Sequence, residues 1–215
     1  MLSSTAATPG WPDPGRFALT LVLAFTLVLI SAWAWGDILV KSLLPLTQDV
    51  LTWLDDRFGV VSLDVERNAQ DTVVRMRAKL TTLLVLGGQV IPPNPKGWIE
   101  ASTPVGDLLQ PLVIATGFAL AWPGRLSARL CRLGIAIGLG LLFLVIDIPL
   151  TLHAVVWDLI VFQLGVKDFS PLLTWWQFTQ AGGRLGIGLV MGVAAWQVER
   201  AMNNRYEKQS FVTSK

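Results

Sequence analysis

The sequence predicts an α-helical integral membrane protein with about four transmembrane helices and a small extracytoplasmic α+β insert, built from an amphipathic helix and a β-hairpin. Three observations carry that prediction. Of 215 residues, 53% are hydrophobic and only 15% are charged, whereas soluble domains carry about 25% charged residues. The mean hydropathy is +0.55, and the apolar residues are gathered into runs long enough to cross a bilayer rather than spread along the chain. Between the first and second runs the hydrophobic period changes from that of a helix to that of a strand.

The first element, residues 1–16, is small, rich in Pro and Gly and aperiodic, and reads as an irregular tail. The run 17–35 can cross about 30 Å of hydrocarbon. Ala32-Trp33-Ala34 would suit cleavage of a signal peptide, but Arg16 is the only base of the tail. The run is therefore read as an uncleaved span. Residues 36–58 place Leu39, Leu43, Leu46, Val50, Leu54 and Phe58 at three- and four-residue spacing. That is an amphipathic helix, bent or interrupted at Pro45.

Over 60–91 the period becomes two. Val61, Leu63 and Val65 alternate with Ser62, Asp64 and Glu66; after Asn68-Ala69-Gln70-Asp71, the residues Val74, Met76, Ala78 and Leu80 alternate with Arg75, Arg77 and Lys79. Two such runs around a polar turn predict a hairpin with one apolar face, Glu66 sitting beside Arg75. Leu83-Leu84-Val85-Leu86 adds an expected third strand before Gly87-Gly88, and the prolines around Asn94 end regular structure. An isolated hairpin is marginal in water. Its apolar face (Val61, Leu63, Val65, Val74, Met76) therefore needs the amphipathic helix, the membrane surface or another protein, and is the candidate partner surface. The insert as a whole covers 36–103.

A second span is expected at 104–122, a loop at 123–132, a third span at 133–152 and a short, glycine-rich fourth at 181–198. The segment 153–180 is apolar but broken by Asp158, Lys167, Asp168 and Pro171, and reads as interfacial or re-entrant. A polar tail follows at 199–215. Short loops rich in Lys and Arg stay in the cytoplasm. The 123–132 loop holds Arg125, Arg129 and Arg132 and no acid, and the last tail is also basic. Both termini are thus expected in the cytoplasm of a bacterium, the spans in its inner membrane and the insert in the periplasm. Trp33, Trp35, Trp122, Trp157, Trp175, Trp176 and Trp196 fall at span ends or in the interfacial segment, where an indole is half apolar and half wet.

Asp147 is the sharpest chemical feature. A carboxylate inside the third span is costly unless paired, protonated or wetted. Arg184 enters the fourth span from the same side, so a structural Asp147–Arg184 pair is one reading, and proton or ligand handling by Asp147 is the other. Cys131 and His153 invite a thiol-enzyme reading, but 22 residues of helix separate them by about 33 Å. The small-residue pairs Gly134/Gly138, Gly182/Gly186 and Gly188/Gly192 offer flat faces for close helix packing, between the third and fourth spans or with another subunit. The single cysteine, Cys131, excludes an internal disulfide. No recognised catalytic, phosphate-binding or metal motif is present, so no catalytic residue, metal or cofactor is expected. With a net charge of +2, nucleic acid is not an expected partner; membrane lipid and other membrane subunits are.

The order of parts, one span, an outer segment, Asn94-Pro95, and then Leu108-Leu109-Gln110-Pro111-Leu112 opening further spans, resembles the small inner-membrane proteins associated with exosortases. The resemblance implies an accessory protein rather than the transpeptidase itself. The functional expectation is accordingly a non-catalytic accessory or structural subunit of a bacterial inner-membrane assembly, presenting its hairpin to a partner. The alternative is a membrane enzyme or proton-coupled component that uses Asp147.

Overall fold

The computed structural model describes residues 14–68, 71–94, 96–165 and 170–213, with side chains described as far as 204. Most of the first tail, Ala69 and Gln70 of the turn, Pro95 of the Asn-Pro element, and Lys167 and Asp168 lie outside the described residues. The chain is mostly helical with a small β region. Its order is α1 (Pro14–Leu54), β1 (Phe58–Asn68), β2 (Asp71–Leu80), β3 (Leu84–Leu86), β4 (Gln89–Ile91), β5 (Ile99–Pro104), α2 (Val105–Ala121), α3 (Leu126–Leu164), α4 (Pro171–Phe178) and α5 (Arg184–Thr213). Two helices, α1 with 41 residues and α3 with 39, are long and apolar enough to cross a membrane.

The expected break between a span at 17–35 and a separate helix at 36–58 is not there. The chain is one helix through Pro45. A proline inside a helix removes one backbone hydrogen bond and strains the preceding turn. Here the turns on either side of it are held by a buried stripe, Gly36, Val40, Leu44, Thr47 and Leu51, whose spacing keeps one face inward. The 123–132 loop likewise shrinks to a turn at 122–125, because Arg129 and Arg132 already belong to α3. Residues 153–164 are not a separate interfacial piece either; they continue α3 past Pro149.

The hairpin β1–β2 forms as the alternation indicates, and Arg75 meets Glu66 at 2.9 Å. The sheet gains a strand that the sequence did not reveal. β5 pairs antiparallel with β2, giving the order β1-β2-β5, while β3 and β4 form a hairpin of their own. Gly87 and Gly88 join that hairpin with φ of 57° and 78°, the positive pair that a type I′ turn requires. A register shift between Val60 and Ser62 marks a bulge. The bulge turns Val61 out of the apolar face, leaving it 52% exposed.

Val74 and Met76 are buried, and Leu63 and Val65 are partly buried against the same core. The expected open partner surface is therefore a correction: four of its five residues are covered, and Val61 points elsewhere. Their cover is internal. One core joins Val40, Leu44 and Leu51 of α1, Val74, Met76 and Ala78 of β2, the start of α2, and Leu144, Ile148, Leu152, Val156 and Ile160 of α3. The C-terminal halves of α1 and α3 thus carry the sheet as a head on one end of the helical bundle.

Below the head, α2 is the central helix, packed on α1, α3 and α5. Glycines set the closeness. Gly36 of α1 meets Leu109, Gly140 of α3 meets Leu112, Gly188 of α5 meets Ile114 and the carbonyl of Pro111, and Gly192 meets Phe118. The pair Gly188/Gly192 therefore packs α5 on α2, not on α3. Gly134, Gly138 and Gly186 meet nothing among the described residues, so Gly134/Gly138 and Gly182/Gly186 join no described helices.

A Cβ built at Gly188 would lie 2.8 Å from Ile114 Cβ and 2.9 Å from the Pro111 carbonyl. Gly188→Val should push α5 off α2 and lower the unfolding midpoint by several degrees, an overpacking cost of about 1–3 kcal/mol. Gly134→Val, with nothing nearby, should leave it unchanged. Equal midpoints for the two variants in thermal unfolding of the purified protein would contradict this packing.

Candidate functional site

Two polar clusters are built into the seams of the structure. In the first, Asp147 of α3 is fully buried and Arg184, the first residue of α5, is 1% exposed. Arg184 Nε donates to Asp147 Oδ2 at 2.9 Å, and its terminal nitrogen donates to Thr151 Oγ1 at 2.8 Å. Thr151 Oγ1, one turn along α3, donates to Asp147 Oδ1 at 3.4 Å, and Trp175 Nε1 of α4 donates to the same oxygen at 3.3 Å. Both carboxylate oxygens are engaged and the charge is matched, which is the condition for burying an ion pair.

Local geometry aims Arg184 at that point. Between α4 and α5 lies a π-helical turn, Thr179–Gly183, in which Gly182 has φ of +98°. A residue with a Cβ adopts such a backbone only with strain. The turn re-aims the chain between the helix that supplies Trp175 and the helix that supplies Arg184. Gly182 thus serves as a hinge point, and not as half of a packing pair with Gly186.

The second cluster joins residues far apart in the sequence. Asp55 ends α1 and accepts from Arg57 three times, from the backbone N at 3.0 Å, from Nε at 2.8 Å and from a terminal nitrogen at 2.7 Å. His153 on α3 brings Nε2 to 3.3 Å from Asp55 Oδ2. The Phe58 ring meets the imidazole edge-on at 5.3 Å, and the Arg57 guanidinium lies 5.5 Å over the Trp157 ring. Asp55, Arg57, His153 and Trp157, together with Ser170, Pro171 and Leu172, line a cavity of about 310 Å³. Burial lowers the imidazole pKa, the nearby Arg57 charge lowers it further, and Asp55 only partly offsets both. Burial by itself would raise the Asp55 carboxyl, but the hydrogen bonds and charge of Arg57, with His153, outweigh it and hold it below its ordinary value. Near neutral pH the pair is thus a neutral imidazole facing an ionised carboxylate across 3.3 Å.

Cys131 takes no part, for it sits on the same helix as His153 but 22 positions earlier, about 33 Å away. At that opposite end Arg132, 1% exposed, donates to the carbonyls of Trp122, Pro123 and Ala128 at 3.1, 3.2 and 3.3 Å. It lies 3.9 Å from Glu199 of α5. It therefore holds the turn that follows α2 and brings α3 next to α5. Among the described residues no group of three His, Cys, Asp or Glu side chains could hold a metal ion.

The pH dependence of stability follows from the His153 shift. Its folded pKa lies below the unfolded value, so between the two the unfolded chain binds a proton that the folded chain refuses. Stability is complete above the ordinary histidine pKa of about 6.5 and falls as the pH drops through that value toward the lower folded one. The Asp55 shift adds a further loss only at much lower pH, below the ordinary carboxylate value. His153→Gln offers Asp55 a donor and cannot titrate. Its unfolding midpoint should change less than that of the wild type between pH 7 and pH 5, and equal slopes would remove His153 from this account.

Comparison with known proteins finds no matching family model, curated protein or solved structure.

Proposed function

We propose that the chain is a non-catalytic accessory subunit of a bacterial inner-membrane assembly, anchored by its helical bundle and offering its head to a periplasmic partner. The observation that carries the non-catalytic reading is the closed state of Asp147. Arg184, Thr151 and Trp175 use both carboxylate oxygens. A carboxylate that trades protons or holds a ligand needs a path to water or to that ligand. Asp147, with no exposed surface, is better suited to joining α3, α4 and α5.

Several features support the membrane reading. Leu19, Val22, Leu23, Leu27 and Ile30 of α1 are each about 60% exposed, a stripe that suits lipid and not water. At the end away from the head, Phe17, Trp122 and Trp196 are in ring contact and Arg200 lies over Trp196. Aromatic rings beside arginines fit a cytoplasmic interface. Bundle and head share a core, so a bundle in lipid holds the head at the opposite surface. The resemblance of the order of parts to exosortase-associated inner-membrane proteins is in keeping with an accessory role. With the inner face of the hairpin covered, the partner surface moves to apolar groups the head leaves open: Trp53, Val61, Val85, Val90 and Trp98, all more than half exposed.

Asp147→Asn should leave Arg184 buried without a counter-charge and destabilise the protein by about 3–5 kcal/mol, with loss of any co-purifying partner. The double change Asp147→Leu with Arg184→Met removes both charges and should restore folding and partner capture together. A double variant that assembles normally in cells yet loses the biological activity would instead favour chemistry at Asp147. Orientation is checked separately: protease added outside spheroplasts should cut the head and spare the 122–125 turn, and the reverse pattern inverts the proposed topology.

A further inference from the structure

Where α1 and α2 meet the head, a groove of about 970 Å³ opens on the side of the bundle, at the upper end of the range for small-molecule sites. Its walls change character with height. Gly36 of α1 touches Leu109 of α2 and Phe25 touches Gly117, so the two helices run antiparallel and Asp37 and Asp107 stand at about one level. Leu29, Ala32 and Trp33 line the groove one to two turns below Asp37, and Val113 lines it below Asp107. Above that level the walls are charged.

Of the six charged side chains lining it, Glu66 is held by Arg75 and Asp37 accepts from Thr72, while the other four are uncommitted. Arg75 pairs with Glu66 and Glu100, and Arg77 pairs with Glu100. Lys41, Arg67, Asp71 and Asp107 all line the groove, and none of them has an ion-pair partner among the described residues. They are neighbours through a short chain of contacts. Arg67 is the cross-strand partner of Thr72, Thr72 Oγ1 donates to Asp37 Oδ2 at 3.1 Å, and Lys41 follows Asp37 by one turn of α1. Free cations and free carboxylates thus stand together over an apolar slot.

We infer that this groove binds one phospholipid whose headgroup carries both a phosphate and a primary ammonium. Lys41 and Arg67 receive the phosphate, Asp71 and Asp107 receive the ammonium, and an acyl chain follows Leu29, Ala32, Trp33 and Val113. An anionic headgroup without an amine satisfies the cations and leaves the carboxylates repelling it. A lipid without a headgroup satisfies neither. The site rests on the membrane-spanning reading of the bundle, since only then does a lipid stand at this height with its chain pointing along α1.

The test is thermal unfolding of the full chain, purified and delipidated in mild non-ionic detergent, with added phosphatidylethanolamine, phosphatidylglycerol or diacylglycerol. Phosphatidylethanolamine should raise the midpoint by several degrees, phosphatidylglycerol should raise it less and diacylglycerol should have no effect. Lys41, Arg67, Asp71 and Asp107 are all exposed, so changing them leaves the core intact. The double variants Lys41→Ala/Arg67→Ala and Asp71→Asn/Asp107→Asn should each need about fivefold more phosphatidylethanolamine for the same shift. The proposal is overturned if phosphatidylglycerol stabilises as well as phosphatidylethanolamine, or if both double variants respond like the wild type. A wild-type chain that stays monodisperse in buffer without detergent overturns the membrane reading instead, which is a different result from a detergent-dependent chain indifferent to headgroup.

Discussion

The apolar face of the β1-β2-β5 sheet has to be covered, and the structure is arranged around that requirement. Three short strands bury too little to stand alone in water. Val74, Met76 and Ala78 of the central strand are buried to 2% exposure or less, and their cover is the C-terminal halves of α1 and α3. This explains why both helices run about twice the length needed to cross a bilayer. It also explains why each continues through a proline, at Pro45 and at Pro149. Ending either helix at its proline would uncover the sheet, and burial at about 25 cal/mol per Å² over several large side chains outweighs one lost backbone hydrogen bond.

Because the same two helices serve bundle and head, the polar groups sit at the joints between elements. Asp55 and His153 tie the end of α1 to α3 on the head side. Asp147, Thr151, Trp175 and Arg184 tie α3, α4 and α5. At the far end Arg132 ties the turn that follows α2 to α3, with Glu199 of α5 nearby. Each joint lies where close packing of apolar side chains alone leaves a helix free to slide or rotate. A directional hydrogen bond fixes what dispersion does not.

Much of this arrangement was legible in the sequence, and the limits of legibility have physical causes. The period-two stretch revealed β1 and β2, since alternation survives whatever the strand packs against. It did not reveal β5, whose inward residues are Ala101 and Thr103, too small and polar to register as a hydrophobic face. The bulge at Val61 was hidden for a related reason: one extra residue changes which side chains face in without changing composition. The pairing of Asp147 with Arg184 could be anticipated, because a carboxylate in an apolar run needs a partner and Arg184 was the cation at the matching depth. Asp55 with His153 could not, as nothing local connects residues 98 positions apart on different helices. The glycine pairs divide in the same way: spacing identifies a flat face, and only the fold decides whether another helix lies against it.

The buried Asp147–Arg184 pair contributes little net stability compared with an apolar pair of the same size, because desolvation of the two charges offsets most of their attraction. Its value is positional. Gly182 gives the chain a left-handed step, and a flexible step leaves the direction of the following helix undetermined by local backbone preference. A single charge-assisted contact at the first residue of α5, shared with Trp175 from the helix before the step, fixes that direction. Gly188 and Gly192 can meet α2 closely only once α5 has that heading. The ion pair therefore selects which close packing forms, and the packing then supplies the stability.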